Sequence, residues 1–139
     1  MNIIYGKMGK YKFYDLVEIV RKLRGEKGCP WDKKQTHKSL IKHLKEETEE
    51  LIKEIEKDNI RGIKDELGDV LLQVVFHTQI EKENFDIDDV IDNICRKMIR
   101  RHPHVFGNLK VKSEEEIEKN WENIKKGEKS RGGPSSTDN

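Results

Sequence analysis

Apolar residues recur along this chain at the spacing of amphipathic helices. Five segments carry apolar positions three and four residues apart, and no segment alternates apolar and polar residues as a half-buried strand does. The predicted helices cover about residues 12–23, 36–57, 60–82, 86–101 and 113–125. We therefore predict an all-α fold, a bundle of four to five helices.

Glycine, proline and capping residues mark the boundaries of these helices. The segment Gly25–Asp32 is rich in glycine and contains a proline, which predicts a loop. Pro103 ends the fourth helix, and Ser113 followed by Glu116 predicts a capping box that opens the fifth. We expect three regions, namely an N-terminal extension over residues 1–11, one domain over 12–126 and a disordered polar tail over 127–139.

The composition narrows the class of protein. The 139 residues include 28 Lys or Arg and 27 Asp or Glu, so the formal net charge is only +1 and favours no nucleic-acid polymer. We find no membrane-spanning run and no secretory signal, and two cysteines make no disulfide framework, so we expect a cytoplasmic protein without a membrane partner. Apolar residues make up 33%, which is few for a small core. We expect neighbouring subunits of a homo-oligomer, a dimer or a tetramer, to complete it.

Acidic residues on the second helix form one half of a candidate site. A helical projection at about 100° per residue places Glu47 at the edge of the apolar stripe and Glu50 on the same side, whereas Glu46 points further away. The stripe consists of Leu40, Leu44, Leu51 and Ile55. A carboxylate at the edge of a core-facing stripe needs a partner. A solvated face of Glu and Lys is the alternative interpretation.

A polar stripe on the third helix forms the other half. Apolar residues nearly surround this helix over residues 70–76, and the stripe that interrupts them consists of Gly62, Glu66, Asp69, Gln73 and His77. If the two helices pack antiparallel, Glu47 and Glu50 face Glu66 and Asp69. Four acids without a lysine repel one another unless a multivalent cation neutralises them, and oxygen ligands favour Mg²⁺ or Mn²⁺. We therefore predict a metal site that also attracts phosphate.

Two basic residues and one tryptophan are further candidates. Lys97 and Arg101 border the apolar stripe of the fourth helix, where either a phosphate chain or a salt bridge to the acidic helices satisfies them. Trp31 is either a core anchor or a platform on which a base stacks. The histidines lack zinc-ligand spacing, and each is expected to be structural or solvent-facing. They are His37, His43, His77, His102 and His104.

Four motifs occur in order between about residues 15 and 129. They are Gly28-Cys29-Pro30-Trp31-Asp32 with Gln35-Thr36-His37, Glu46-Glu47-x-x-Glu50, Glu66-Leu67-Gly68-Asp69, and the run from Arg100 to Gly107. In this order they resemble the MazG-type nucleoside triphosphate pyrophosphohydrolases. The resemblance implies an all-α bundle, commonly a homodimer or higher assembly, that uses Mg²⁺ to split a nucleoside triphosphate into monophosphate and pyrophosphate.

The resemblance also implies roles for individual residues. It assigns metal binding and catalysis to Glu47, Glu50, Glu66 and Asp69, with Glu46 adjacent, and phosphate contacts to Lys97 and Arg101. We expect a metal-activated water to attack the α-phosphate while one carboxylate accepts its proton. Two alternatives stay open. One is a narrower substrate set such as dUTP, dCTP or a phosphoribosyl nucleotide, and the other is a non-enzymatic helical interaction module.

Overall fold

The computed structural model of the chain describes residues 6–130, and every regular element among them is a helix. These helices are α1 (Phe13–Leu23), α2 (Pro30–Lys34), α3 (Ile41–Glu56), α4 (Ile60–Ile80), α5 (Ile87–Arg101), α6 (Pro103–Phe106) and α7 (Glu114–Ser130). The predicted all-α class is confirmed. The chain divides into two compact units, of which one ends at Ile87 and the other begins at Asp88. This boundary lies inside the span that the sequence analysis treats as one domain.

The first unit is organised around α4. Both α1 and α3 pack against this helix, which agrees with its near-continuous apolar surface. The buried cluster at their junction consists of Val20, Leu40, Val75 and Phe76, with Phe13, Leu16, Val17, Leu72 and Ile80 packed around it. The apolar positions predicted on the first and third helices therefore meet in one small core.

A tight turn joins α3 to α4 and sets their direction. Only three residues separate the helices, so α3 and α4 form an antiparallel pair as predicted. Asp58 has a φ of 53°, the left-handed conformation that a short polar side chain tolerates. Beside it the Asn59 amide Nδ2 donates to the Glu54 carboxylate at 2.8 Å. The acidic face of α3 is thereby brought alongside α4.

The structure corrects two boundaries before α3. The segment Gly25–Asp32 was predicted to be a loop, but α2 begins inside it with Pro30 at its first position, where the missing N–H is not needed. The second predicted helix begins at Ile41 rather than near residue 36. Thr36 and Ser39 exchange hydrogen bonds at 2.9 and 3.1 Å, because their hydroxyls offer the backbone an alternative to helical bonding.

The second unit contains α5, α6 and α7. The hydroxyl of Ser113 accepts a hydrogen bond from the backbone N–H of Glu116 at 3.2 Å, which is one half of the predicted capping box of α7. The Glu116 carboxylate accepts from the backbone N–H of Lys112 at 2.9 Å instead of that of Ser113. This helix continues to Ser130, so the prediction of a disordered tail is wrong over residues 127–130. The reason is that Glu128 is buried in ion pairs with α5. The rest of that predicted tail, residues 131–139, lies outside the described residues.

An apolar face of the α3–α4 pair is exposed in the single chain. Its side chains are 39–78% exposed, and they are Ile41, Leu44, Ile52 and Ile55 of α3 with Ile60, Leu67, Leu71 and Val74 of α4. We call this surface the apolar face. Leu44 and Ile55 were predicted to belong to the core-facing stripe with Leu40, but only Leu40 is buried. Completion of the core by a second subunit stays a prediction.

Two glycine substitutions should change stability in opposite directions. Gly28→Ala should lower the free energy of unfolding by roughly 1–3 kcal/mol, since its Cβ would lie 2.2 Å from the carbonyl oxygen of Leu23. Gly68→Ala, where a Cβ meets no atom within 4 Å, should raise it by up to about 1 kcal/mol through helix propensity. Urea unfolding measures both. Effects of the same sign would contradict the described packing.

Candidate functional site

Three carboxylates converge between α3 and α4. Glu47 of α3 and Glu66 and Asp69 of α4 each place an oxygen within 4.8 Å of the others, and all three side chains are partly buried. Glu66 and Asp69 share one face of α4 because they are three residues apart, and the antiparallel hairpin turns Glu47 toward them. We call Glu47, Glu66 and Asp69 the acidic cluster.

The carboxylates of the acidic cluster repel one another and are partly buried, and both effects raise the pKa values of Glu47 and Glu66. Burial, followed by the charges of Glu50 and Asp69, raises the pKa of Glu66 to about 7. Burial, followed by the charges of Asp69 and Glu50, also raises the pKa of Glu47. None of the three forms an ion pair with Lys, Arg or His among residues 6–130. The cluster therefore favours protons or a cation at neutral pH.

Glu50 and Glu46 lie outside this cluster. Glu50 is exposed on α3, one turn after Glu47, yet its charge contributes to the raised pKa of both Glu47 and Glu66. Glu46 lies 3.9 Å from the Lys42 amine and 3.8 Å from His43 Nδ1, so its neighbours are side chains of its own helix. The structure thus brings together three of the four predicted ligands, and Glu50 is exposed outside their cluster.

The polar stripe predicted on α4 contains unpartnered atoms along its length. Glu66 Oε2, Gln73 Oε1 and His77 Nε2 are buried and have no hydrogen-bond partner among the described residues. At its other end, a Cβ on Gly62 would overlap the Glu54 carboxylate at 2.2 Å, so glycine makes room for that acid. Buried acceptors without partners are uncommon, so this stripe is a candidate surface for ligand binding.

Trp31 belongs to the first unit, like the acidic cluster, but is not part of its core. Its side chain is 47% exposed on α2. The indole contacts the His43 ring edge to face, with centroids 5.8 Å apart at 79°. An indole this exposed is not the buried anchor of the first interpretation, and it retains surface that is free to stack on another ring.

The predicted basic residues belong to the second unit. Lys97 is partly buried on α5. Arg101 Nη2 donates to Glu128 Oε1 at 2.7 Å, and Arg100 Nε donates to Glu128 Oε2 at 2.6 Å. The Arg101 side chain is only 15% exposed and its guanidinium also lies 5.5 Å from the Trp121 ring. These contacts hold the pKa of Glu128 down to about 2, first through Arg101.

Sequence reasoning missed two of these contacts. Glu128 continues the row of Trp121 and Ile124 on α7 at helical spacing, so its position on the inner face was available from the pattern. His37 and His77 were each expected to be structural or solvent-facing, with no contact predicted between them, whereas their Nδ1 atoms lie 2.7 Å apart across a separation of 40 residues. No local pattern indicates that second contact.

Comparison with known proteins decides the family. The model of the MazG nucleotide pyrophosphohydrolase domain matches residues 35–106, more than half of the chain. This chain belongs to the MazG domain family. The matched span contains the acidic cluster, Glu50, Lys97 and Arg101, while Trp31 lies just before it.

Individual relatives agree with this MazG assignment. The chain is 53% identical over 121 residues to the Thermotoga maritima nucleoside triphosphate pyrophosphohydrolase/pyrophosphatase MazG, covering 86% of this chain and 46% of that protein. It is 40% identical over 119 residues to the Escherichia coli nucleoside triphosphate pyrophosphohydrolase, covering 84% and 45%. It is 50% identical to the uncharacterized protein YabN of Bacillus subtilis, covering 88% and 26%. The MazG chain thus spans less than half the length of these relatives.

A solved structure supports the MazG fold. The crystal structure of the mazG-related protein from Thermotoga maritima superposes with a TM-score of 0.67 at 30% identity, covering 82% of this chain and 99% of that one. The similarity therefore extends over almost the whole of a MazG-related chain. Among the described residues, no helix of this MazG chain is long and apolar enough to cross a membrane.

The donors of the acidic cluster suit a hard divalent cation. All three are carboxylates, they come from two helices, and their oxygens lie within 4.8 Å of one another. The unpartnered Glu66 Oε2 adds an acceptor that nothing else among the described residues satisfies. Oxygen donors favour Mg²⁺ or Mn²⁺, whereas Zn²⁺ prefers the nitrogen and sulfur ligands that this cluster lacks.

The acidic cluster should make stability depend on pH when metal is chelated. Because the folded protein raises the pKa of Glu66 from 4.5 to about 7, it retains a proton that the unfolded chain releases in this window. The free energy of unfolding should therefore fall as pH rises from about 4.5 to 7, and Glu66→Gln should flatten this slope. Urea unfolding at a series of pH values, in the presence of a chelator, measures the slope of the free energy of unfolding against pH for both proteins.

Added MgCl₂ serves as the control for that titration. It should stabilise the wild type more at pH 7.5 than at pH 5.5, because cation binding requires the deprotonated carboxylates. An identical slope in the wild type and in Glu66→Gln would show that this carboxyl does not carry the effect.

Proposed function

We propose that this MazG domain hydrolyses nucleoside triphosphates, ribo- or deoxyribonucleotides, to nucleoside monophosphate and pyrophosphate in a Mg²⁺-dependent reaction. The observation that carries the proposal is the convergence of Glu47, Glu66 and Asp69 without a compensating cation among the described residues. The names of the relatives from Thermotoga maritima and Escherichia coli add support, since they describe nucleoside triphosphate pyrophosphohydrolases. Two free cysteines and a nucleotide substrate fit a cytoplasmic enzyme.

The acidic cluster would hold the cation, and the charge of Glu50, one turn after Glu47 on α3, acts on the same carboxylates. When bound, a hard divalent cation supplies Lewis acidity toward phosphate oxygens and water. Mn²⁺ is a possible substitute because it accepts the same ligands. Glu46, which already pairs with Lys42 and His43, is at most an outer neighbour of this site.

Proton transfer falls to a carboxylate of this group. A water oxygen attacks the α-phosphorus, the bond from the α-phosphorus to the bridging oxygen breaks, and pyrophosphate leaves. We propose Glu50 as the acceptor of the water proton, since it is exposed beside Glu47 and Glu66 but outside their oxygen cluster. Glu47, Glu66 and Asp69 would then remain deprotonated as ligands.

Three further residues are proposed to bind the substrate. Trp31 would stack on the base with its exposed face. Lys97 and Arg101 would neutralise the departing pyrophosphate. In the structure Arg101 binds Glu128, so its use on phosphate requires this ion pair to open or to share its donors.

The apolar face is proposed to bind a second copy of this chain. Eight large apolar side chains from α3 and α4 are more exposed there than a stable core allows. They run along one side of each helix, so one partner surface can cover them together. A homo-oligomer, a dimer or a tetramer, would supply the burial that the 33% apolar composition leaves incomplete.

The activity is tested by removing one ligand without changing the helix. Asp69→Asn should lower kcat by roughly 100-fold or more because a carboxylate that binds the cation is lost. Asp65→Asn, an exposed acid on the same helix, is the matched control and should retain most of the activity. Pyrophosphate release is measured over a panel of ribo- and deoxyribonucleoside triphosphates.

The panel also decides between the alternatives. Turnover confined to dUTP, dCTP or a phosphoribosyl nucleotide would favour the narrower enzyme, and no turnover with any nucleotide would favour the interaction module. Release of orthophosphate instead of pyrophosphate, or full activity in Asp69→Asn, would contradict the proposed chemistry.

Oligomerisation is tested by charging the apolar face. Gel filtration at micromolar concentration should give at least twice the 16.4 kDa mass of one chain, and Leu67→Glu should shift it toward the monomer. Met8→Glu, an exposed apolar residue outside the apolar face, should leave the mass unchanged. A monomeric wild type would show that the face is not a subunit interface.

A further inference from the structure

The polar stripe of α4 continues for two helical turns beyond the acidic cluster. Gln73 is only 8% exposed, and its Oε1 has no hydrogen-bond partner among the described residues. His77 lies one turn further along α4, and its Nε2 is also buried without a hydrogen-bond partner among the described residues. Two unpartnered acceptors on successive turns are costly for a folded protein, because each is withdrawn from bulk water without a donor among the described residues.

A hydrogen-bonded chain of three side chains fixes the His77 ring. His37 Nε2 lies 2.6 Å from Glu81 Oε1, and His37 Nδ1 lies 2.7 Å from His77 Nδ1. The planes of the two rings are parallel within 2°, and the ring centroids lie 5.0 Å apart. This separation equals the distance between the two Nδ1 atoms plus about one ring radius on each side, so both centroids and both Nδ1 atoms lie on one line. The rings therefore lie edge to edge in one plane, which is the alignment of a direct N–H···N hydrogen bond.

This chain determines where the protons lie. The Glu81 carboxylate is an acceptor, so His37 donates through Nε2 and, when neutral, offers the lone pair of Nδ1. His77 must then donate through its own Nδ1, which leaves Nε2 as an acceptor. The amide of Asn84 donates to the other Glu81 oxygen at 2.7 Å and helps to keep that carboxylate ionised.

Protonation of His77 does not relieve the unpartnered atom. Burial lowers the pKa of His77, so the ring stays neutral at physiological pH. A protonated Nε2 would in any case be a buried donor without an acceptor. The atom needs a donor from outside the described residues.

We propose that Gln73 Oε1 and His77 Nε2 form a subsite that accepts hydrogen bonds from N–H or O–H groups of the nucleoside part of the substrate. His37 and Glu81 act as positioning residues that hold the His77 tautomer. This inference rests on the proposed function, and it assigns a ligand contact to side chains that the metal chemistry leaves unused.

The spacing along α4 suits a nucleoside. Gln73 lies four residues after Asp69, and His77 lies eight residues after Asp69. These separations correspond to about 6 and 12 Å along the helix axis. A nucleoside whose phosphates bind at the acidic cluster extends over such a distance. Sugar hydroxyls and base N–H groups are both donors, so either part of the nucleoside is a possible source.

The first experiment replaces Gln73 with an apolar side chain of similar length. Gln73→Met should weaken binding of a nonhydrolysable nucleoside triphosphate with Mg²⁺ by about 3- to 10-fold, the equivalent of one lost hydrogen bond. It should leave the affinity for inorganic tripolyphosphate unchanged, and it should keep or raise the Tm of the free protein because a desolvated acceptor disappears. Gln79→Met makes the same change elsewhere on α4 and should alter neither affinity.

Nucleotide analogues identify the donor. If Gln73→Met no longer weakens binding of 2′-deoxy or 2′,3′-dideoxy triphosphates, the sugar hydroxyl is the donor. If the loss of affinity instead depends on which base the nucleotide carries, a base N–H is the donor. Unchanged nucleotide affinity in Gln73→Met, or an equal loss for tripolyphosphate, overturns the proposal. These affinity ratios are measured without hydrolysis, so their failure is distinguishable from failure of the proposed function, which is shown by a wild type that releases no pyrophosphate from any nucleotide.

A second experiment reads the His77 tautomer without any activity assay. ¹⁵N spectra of histidine-labelled protein should show His77 protonated at Nδ1 and a shift of its Nε2 resonance when the nonhydrolysable triphosphate binds. Glu81→Gln should alter the tautomer population and weaken nucleotide binding, while tripolyphosphate binding stays unchanged. A wild-type Nε2 resonance that does not respond to the nucleotide, or Glu81→Gln with wild-type affinity, overturns the proposal.

Discussion

The repulsion among Glu47, Glu66 and Asp69 is the constraint on which the site depends. The α3–α4 hairpin holds their oxygens within 4.8 Å, and burial adds to their mutual repulsion. Such an arrangement costs stability unless protons or a cation neutralise it. Keeping these acids together without a basic partner among the described residues therefore lowers stability, and proteins break local rules in this way mainly at functional sites.

One helix face carries both the proposed metal site and the proposed nucleoside subsite. The same i, i+3 and i+4 spacing that places Glu66 beside Asp69 continues to Gln73 and His77. Polarity along this face changes from charged acids to neutral acceptors, which parallels the change from phosphates to nucleoside in the proposed substrate. Val75 and Phe76 of the same helix belong to the buried core, so packing holds α4 and its polar stripe in place.

Helical periodicity made much of this predictable from the sequence. The projection of α3 and the stripe on α4 selected Glu47, Glu66 and Asp69 because both depend only on residues within one helix, and the all-α class followed from the same signal. The start of α3 was misplaced because the hydroxyls of Thr36 and Ser39 compete with helical bonding. Contacts such as the one between His37 and His77 need the tertiary fold, and no sequence pattern encodes them.

The central claim is that the acidic cluster binds a divalent cation together with a nucleotide. Isothermal titration of the wild type with Mg²⁺ and a nonhydrolysable nucleoside triphosphate, repeated on a variant with Glu66→Gln and Asp69→Asn, tests it most directly. The account predicts saturable binding heat for the wild type and its loss in the double variant, whose circular dichroism should remain helical. Absence of binding heat in the wild type, or equal heats in both proteins, would contradict the account.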